Sequence, residues 1–312
     1  MSTEFDTRMM ARALQLARKG RYWASPNPHV GCVMVRDGAV IGEGFTQPAG
    51  GNPAEIEALA SAGDASGATA YVSLEPCSHT GKTGPCADAL IGAGVSRVVA
   101  AMEDPNPEVA GQGLAKMRGA GISTDVGVLE GEARTEIAGF VARMTRGRGR
   151  VRAKLAMSLD GRTAMASGEG RWITGAAARS DVQKLRAESC AIVTGSGTVL
   201  ADDCALTVRP EQLGLDEPEM RRATRRPPLR VVLDSRLRIP AAAKVLAGET
   251  PTRVLHAEGL AANQQYPSQV ALAGIAAGSN GLSLEAVMSA LTARHCNEIL
   301  VESGPRLVGA LL

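Results

Sequence analysis

Histidine is scarce in this chain: His29, His79, His256 and His295 are the four among 312 residues, and the last two stand in its second half. No apolar run approaches the length that crosses a bilayer, which excludes a membrane-spanning helix. Residues Met1 to Asp6 carry no basic stretch followed by an apolar one, so no secretory signal is expected. Charge of neither sign dominates: 34 Lys and Arg face 32 Asp and Glu, and the net +2 suggests neither nucleic acid nor membrane as a partner. Six cysteines scattered along so long a chain make no disulfide framework, and the cytoplasm is the compartment expected. Four of them, Cys32, Cys190, Cys204 and Cys296, stand in apolar or loop contexts and read as structural thiols.

The other two cysteines organise the chain. They stand in the stretch Leu74-Glu75-Pro76-Cys77-Ser78-His79-Thr80-Gly81-Lys82-Thr83-Gly84-Pro85-Cys86, which lies between a strand expected over Thr69 to Leu74 and a helix over Ala87 to Ala93 closed by Gly94. That layout brings two thiols to one helix N-terminus, whose partial positive charge favours thiolates, and thiolates bind zinc. An open catalytic zinc site takes three protein ligands and a water. Zinc deaminases supply them from H-x-E and P-C-x-x-C, with the Glu moving protons. Here Cys77 and Cys86 are separated by eight residues, and Glu55 opens a helix with Pro53 at its first turn. Proline has no donor atom, so the site as written offers Cys77 and Cys86 alone.

The remaining pattern is α/β. Met9, Met10, Ala13, Leu14, Leu16 and Ala17 recur at helical spacing, so a helix is expected from Asp6 to Lys19, stopped by Gly20. Strands Val30 to Val35 and Ala39 to Phe45 flank the turn Asp37-Gly38. Asn27, between two prolines, is placed to present a fixed amide, or serves only as a turn residue. Strands Arg97 to Met102 and Ile122 to Val128 alternate with helices Gly111 to Ala120 and Glu130 to Met144, which predicts a three-layer domain with a parallel or mixed sheet. The run Arg143, Arg146, Arg148, Arg150 and Arg152, with Gly147 and Gly149, reads as a solvated linker, so domains are expected over 1–146 and 147–312.

The second half repeats the alternation. It has strands at Val151 onward, Ala191 to Thr194, Arg230 to Asp234, Arg253 to His256 and Ile299 to Glu302, and helices over Ala176 to Ala187 and Leu284 to Ala293. Gly195-x-Gly197 opens a loop running to Asp203, the weak start of a dinucleotide fingerprint without its third glycine. A second glycine-bounded loop runs from Gly304 to Gly309. Two such loops in one α/β unit point to a phosphate-bearing cofactor.

Pro26-Asn27-Pro28-His29-Val30-Gly31-Cys32, the stretch from Glu75 to Cys86, and Asp104-Pro105-Asn106-Pro107 resemble the deaminase half of the bifunctional riboflavin-biosynthesis deaminase/reductases. Leu155 to Arg162, Trp172-Ile173-Thr174, Gly197 to Asp203, Leu206 to Arg209 and Val301-Glu302-x-Gly304-Pro305 are similar to the reductase half of the same family, in the same order. The resemblance covers essentially the whole chain. It implies a cytidine-deaminase-like three-layer domain followed by a dihydrofolate-reductase-like domain. It also implies zinc and NADPH as cofactors, Glu55 as the proton-transfer residue, and Cys77 and Cys86 as metal ligands. Asn27, His79 and Lys82 would contact the deaminase substrate. NADPH contacts are implied at Ala156, Trp172, Thr198, Asp202, Ser235, Gly304, Pro305, Arg306, Leu307, Val308, Gly309 and Ala310. Arg186, Leu206, Arg209 and Glu302 are implied at the sugar-phosphate substrate, where two guanidiniums suit a bidentate grip on phosphate.

The chain departs from the family at four positions: Pro53 replaces the zinc His of His-Ala-Glu, Thr46 replaces a further His, Gly170 replaces a Ser, and Cys204 replaces the Pro of Asp-Asp-Pro. Family members continue beyond Leu312 with strands that complete the reductase sheet, so the second domain is expected to be cut short, and the uncovered edge with the family habit suggests a homo-oligomer. Three readings stay open. The first is a bifunctional enzyme that deaminates 2,5-diamino-6-(5-phosphoribosylamino)pyrimidin-4-one and then reduces its ribosyl group to ribityl. The second is a reductase with a zinc-poor, inactive deaminase domain, and the third is a non-catalytic relative.

Overall fold

The computed structural model describes residues 3–78, 84–165, 167, 173–262, 264–279 and 281–312. Contacts divide the chain into two compact units, Met1–Gly147 and Arg148–Leu312. No helix among the described residues is long and apolar enough to cross a membrane.

The first unit opens with helix α1 (Glu4–Arg18), followed by strands β1 (Gly31–Arg36) and β2 (Ala39–Phe45). Asp37 and Gly38 both take positive φ, 51° and 76°, the left-handed pair that a tight two-residue hairpin needs. Then come α2 (Ala54–Ala62), β3 (Thr69–Val72), α3 (Cys86–Gly92), β4 (Arg97–Ala100), α4 (Gln112–Gly119), β5 (Ser123–Val126), α5 (Glu130–Glu136) and α6 (Ala138–Arg146). The sheet order is β2-β1-β3-β4-β5, with β1 antiparallel to β2 and β3, and β3, β4 and β5 parallel.

Glycines show why helices cover both faces. A Cβ on Gly31 would lie 1.9 Å from the Ala13 carbonyl of α1, whereas one on Gly44, the register partner of Cys32, would lie 2.2 Å from the Ala54 carbonyl of α2. Gly31 and Cys32 are adjacent and so point to opposite faces. The helices therefore sandwich the sheet, and Cys32 faces α2.

The sequence predicts one helix over Glu130 to Met144, and the structure corrects this to two. Ile137 leaves helical geometry at φ −108°, ψ 31° and is buried, so the chain turns to seat its side chain in the core.

In the second unit β6 (Arg150–Lys154), α7 (Ala176–Glu188), β7 (Ala191–Gly195), α8 (Ser196–Asp202), α9 (Glu217–Thr224), β8 (Leu229–Leu233), β9 (Thr252–Ala257) and β10 (Val270–Ile275) come first. The two-residue strands β11 (Ala277–Gly278) and β12 (Gly281–Leu282), α10 (Leu284–Thr292), β13 (Glu298–Glu302) and α11 (Pro305–Leu311) complete it. Six strands form a wholly parallel sheet in the order β10-β9-β8-β7-β13-β6. Neighbouring residues in its central strands feed separate cores: Val193, Val231 and Val301 join one with Val287 and Leu291 of α10, and Ile192, Val232 and Leu300 join another with Val199 of α8. The central strands are buried on both faces and are correspondingly rich in Val, Ile and Leu, whereas edge strand β6 (Arg-Val-Arg-Ala-Lys) is not.

Two expected loops are helices. Ser196 to Asp202 forms α8 with Gly195 as its extended cap, and Pro305 onward forms α11 with Gly304 as its cap. In each case the glycine marks the entry to a helix rather than a loop, and Pro305 suits the first helical position. Helix α9 and strand β10 occupy stretches for which the sequence pattern predicts no element.

Candidate active sites

In the first unit, Glu75 fixes the segment that carries Cys77. Its carboxylate accepts from four backbone N–H groups: Asp104 and Gly111 at 3.0 and 2.9 Å on Oε2, and Gly113 and Leu114 at 2.9 and 3.2 Å on Oε1. Gly113 and Leu114 lie in the first turn of α4, so the negative charge also meets the positive end of that helix. Gly113 approaches so closely that a Cβ there would sit 1.9 Å from the Pro76 carbonyl. Glu75→Gln, which turns an NH₂ group toward these donors, is expected to cost about 2–4 kcal/mol, since bonds to a charged acceptor are the stronger ones. Urea unfolding measures it.

Past Pro76, the Cys86 N–H donates to the Cys77 Sγ at 3.4 Å and the Ala87 N–H donates to the Cys77 carbonyl at 3.1 Å. Cys86 is the first residue of α3 and is buried, and Cys77 is half-buried. Glu55, the second residue of α2, is 4% exposed and lies beside the Cys86 and Cys77 thiols. Burial pushes its carboxyl up to about 7, with the neighbouring Cys77 adding to the rise. The Cys86 thiol is pushed up by its bond to Cys77, by burial and by Glu55. The structure thus brings Glu55, Cys77 and Cys86 together, and Cys32 joins them beside Glu55, its own thiol raised by burial and by that carboxylate. The sequence context of Cys32 predicts a structural thiol alone. The strand alternation that turns it toward α2 was the available signal.

The positions that depart from the family are equally informative. Pro53 caps α2 with extended backbone and no side-chain bond. Thr46 is buried, and its hydroxyl accepts from the Val30 N–H at 2.9 Å, so it holds together the open ends of the β1–β2 hairpin. Among the described residues no three His, Cys, Asp or Glu side chains are grouped to hold a metal ion. Two thiols are one ligand short of an open zinc centre, so these residues do not fit it unaided. Asn27 is exposed, and its N–H donates to the Ala24 carbonyl at 3.0 Å. His79, Lys82, Gly170 and Trp172 lie outside the described residues.

In the second unit the carboxyl ends of β6, β13, β7 and β8 lie side by side, the place where parallel α/β sheets bind ligands. There the two glycine-bounded segments meet: Thr198 Oγ1 lies 3.3 Å from Ser303 Oγ and accepts from the Gly304 N–H at 3.3 Å. A Cβ on Gly197 or Gly304 would meet nothing, so both backbones are open to an approaching group. Thr194 Oγ1 at the end of β7 and Asp234 Oδ1 just past β8 are buried with no hydrogen-bond partner among the described residues. Ser235 follows Asp234, and Arg238 donates to Ser196 Oγ at 3.0 Å. Asp234 Oδ1 faces the Arg238 guanidinium at 4.0 Å, and the open glycine backbones with the Thr198 and Ser303 hydroxyls fit a polar, phosphate-bearing cofactor.

The other implied contacts are distributed around this edge. Ala156 follows β6, Asp202 ends α8 exposed to solvent, and Pro305, Arg306, Gly309 and Ala310 line the exposed side of α11. Leu307 is half-buried, and Val308 is buried in the core, so only its backbone is offered there.

Arg186 of α7 and Glu302 at the end of β13 form a two-point ion pair of 2.6 and 2.9 Å, each side chain about nine-tenths buried, and Arg186 also donates to the Thr207 carbonyl at 2.8 Å. Arg209 is exposed, and its N–H donates to the Gln183 Oε1 at 2.9 Å. Leu206 is buried with a left-handed φ of 51°. Cys204 is pushed up to about 11 by burial, with Asp202 and Glu302 adding to the rise.

Comparison with known proteins follows the division into units. The family described as cytidine and deoxycytidylate deaminase zinc-binding region matches residues 3–102, and the RibD C-terminal domain matches residues 150–312. The chain is 48% identical to the riboflavin biosynthesis protein RibD of Escherichia coli (strain K12) over 98% of its own length and 84% of that protein. It is 39% identical to the Aquifex aeolicus protein of the same name, over 100% of its length and 84% of that protein. Among solved structures it superimposes on Acinetobacter baumannii RibD with a TM-score of 0.86 at 42% identity, covering 99% of this chain and 83% of that one. A diaminohydroxyphosphoribosylaminopyrimidine deaminase/5-amino-6-(5-phosphoribosylamino)uracil reductase of Thermotoga maritima gives 0.83 at 36% identity, over 96% and 81%.

Proposed function

We propose a division of labour for a chain that belongs to the RibD family of riboflavin biosynthesis proteins: the second unit carries the family's reduction as it stands, and the first carries deamination only once a third ligand completes the Cys77–Cys86 pair. The family joins a zinc-binding deaminase domain to an NADPH-dependent reductase domain, and the chain has a unit for each. The substrates are the diaminopyrimidine carrying a phosphoribosylamino group and the aminouracil formed from it, the pair that the Thermotoga maritima relative's name describes.

The observation that carries the reductase reading is the meeting of Thr198, Ser303 and Gly304 at the carboxyl ends of parallel strands, beside the buried Arg186–Glu302 pair. NADPH supplies the hydride when bound. Gly197, Gly304 and the start of α11 would hold the cofactor, with Ser235 and Asp202 as further contacts. Glu302 holds Arg186 against the Thr207 carbonyl, and Arg209 offers its exposed guanidinium to the substrate phosphate. In the first unit Glu55, poised near neutral pH by burial, is the group that moves protons. We place both units in the cytoplasm, where Cys77 and Cys86 stay reduced.

The test is to supply the purified chain with each pyrimidine and NADPH and follow two signals separately. Oxidation of NADPH by the aminouracil phosphate, with ammonia release from the diaminopyrimidine reduced to background, is expected. Absence of NADPH oxidation would sink the reading.

A further inference from the structure

The segment from Ala205 to Arg209 is tied to the scaffold at every second residue. The Ala205 carbonyl accepts from Arg230 Nη1 of β8 at 3.2 Å, the Thr207 carbonyl from Arg186 Nη1 at 2.8 Å, and the Arg209 N–H donates to Gln183 Oε1 of α7 at 2.9 Å. Leu206, between the first two ties, has a buried side chain and a left-handed backbone, a conformation a branched residue keeps only where its surroundings enforce it. The Leu206 side chain packs into the core with Val199, Ile192 and Val232, while the residues after it are less well covered. A cavity of about 170 Å³ lies beside the segment, lined by Thr207, Val208, Pro210, Pro227 and Thr250.

Arg230 is unusual among the molecule's charged groups. It is 0% exposed, and the partners of its guanidinium are neutral oxygens: Thr252 Oγ1 at 2.8 Å and the carbonyls of Ala247, Thr250 and Ala205 at 2.8, 2.9 and 3.2 Å. Taking a guanidinium out of water with no carboxylate beside it is costly, and a buried apolar side chain would avoid that cost. What the guanidinium alone supplies is a rigid fork that joins three separate stretches, 205, 247–250 and 252, at one point. Gln183, 4% exposed, does the same for Arg209 and reaches Gln212 Oε1 at 3.4 Å.

Resting on the reading that Arg209 meets the substrate phosphate, we infer that Arg230 and Gln183 are positioning residues, which fix the Ala205–Arg209 segment so that it receives a ribose phosphate without reorganising. Neither touches the ligand. Their contribution is to spare the segment the ordering that binding would otherwise demand, which is affinity gained by preorganisation.

Titration calorimetry on the full chain tests this with ribose 5-phosphate, ribose and NADPH as separate probes, for the unaltered protein, Arg230→Lys and Gln183→Leu. Each variant is expected to weaken ribose 5-phosphate binding by about tenfold or more, the equivalent of one lost well-made hydrogen bond. NADPH affinity should stay within about twofold, since neither side chain bonds a residue placed at the cofactor. Folded variants that bind ribose 5-phosphate like the unaltered chain, or that lose NADPH in equal measure, would overturn the inference. If Arg230→Lys does not fold, Gln183→Leu decides alone. An unaltered chain that ignores ribose 5-phosphate also overturns it, whereas one that binds the sugar phosphate but does not oxidise NADPH sinks the proposed reduction and leaves the positioning role standing.

Discussion

Glu55→Gln, made in a Pro53→His background, is expected to lower ammonia release from the diaminopyrimidine by about 10²–10⁴-fold, the usual contribution of a positioned proton-transfer group. Zinc content should not change. Glu55 is the second residue of α2, one step past the Ala54 that follows Pro53, so a histidine at 53 and the carboxyl at 55 would reach the thiols from the same helix end. The carboxyl already lies beside the Cys86 thiol and is raised to about 7 by burial, which suits a group that must take and return a proton near neutrality. The amide keeps its shape and bonding reach but cannot carry the proton. A loss of zinc in the double variant would instead make Glu55 a ligand, and a loss of activity below about tenfold would remove it from proton transfer.

Asp6→Ala is expected to destabilise the first unit by about 3–5 kcal/mol, the cost of leaving a buried ion pair half made. The Asp6 carboxylate is the centre of four hydrogen bonds: from Arg97 at 3.0 and 3.1 Å, from the Tyr71 hydroxyl at 2.7 Å and from the Thr3 N–H at 3.2 Å. It therefore joins the capping box of α1 to β3 and β4 at one point. Because Arg97 is one-third exposed, the lower half of the range is the better expectation. A drop of about 10 °C in the unfolding temperature follows for a unit of this size. The Arg97 guanidinium holds the Asp6 carboxyl far below its ordinary value of 3.8, against the opposing effect of burial. A depressed carboxylate stabilises the fold fully above its unfolded value and loses that contribution as pH falls below it. The gap between the unaltered chain and Asp6→Asn in urea unfolding should thus be widest at neutral pH and shrink below about pH 4.

How far these features were readable depends on how local they are. The Asp37-Gly38 hairpin, the strand leading to Glu75 and the helix opened by Cys86 are each encoded within a few residues, and they stand where turn chemistry and capping put them. The break at Ile137 was hidden because apolar spacing continues through it, and only the core shows that this side chain must turn inward. Gly195 and Gly304 were legible as special positions but not as caps, since a glycine before a polar stretch signals a loop equally well.

The two-thiol centre was legible because the cysteines stand nine apart in one motif. Its support was not: Glu75 reaches N–H groups up to 39 positions away. The reductase site was harder still. Arg186 and Glu302 are 116 residues apart, and nothing in either neighbourhood says that the arginine, expected to grip phosphate, has its guanidinium paired with a carboxylate. Such pairings exist only once the parallel sheet has brought α7 beside the end of β13.

Zinc per chain, measured by elemental analysis on the purified, undialysed protein beside its Pro53→His variant, tests most directly the claim that the first unit is one ligand short. The account predicts far less than one zinc in the unaltered chain and about one in the variant, the load of a single three-ligand site. About one zinc in the unaltered chain would contradict it, because a third ligand would then have to reach Cys77 and Cys86 from elsewhere.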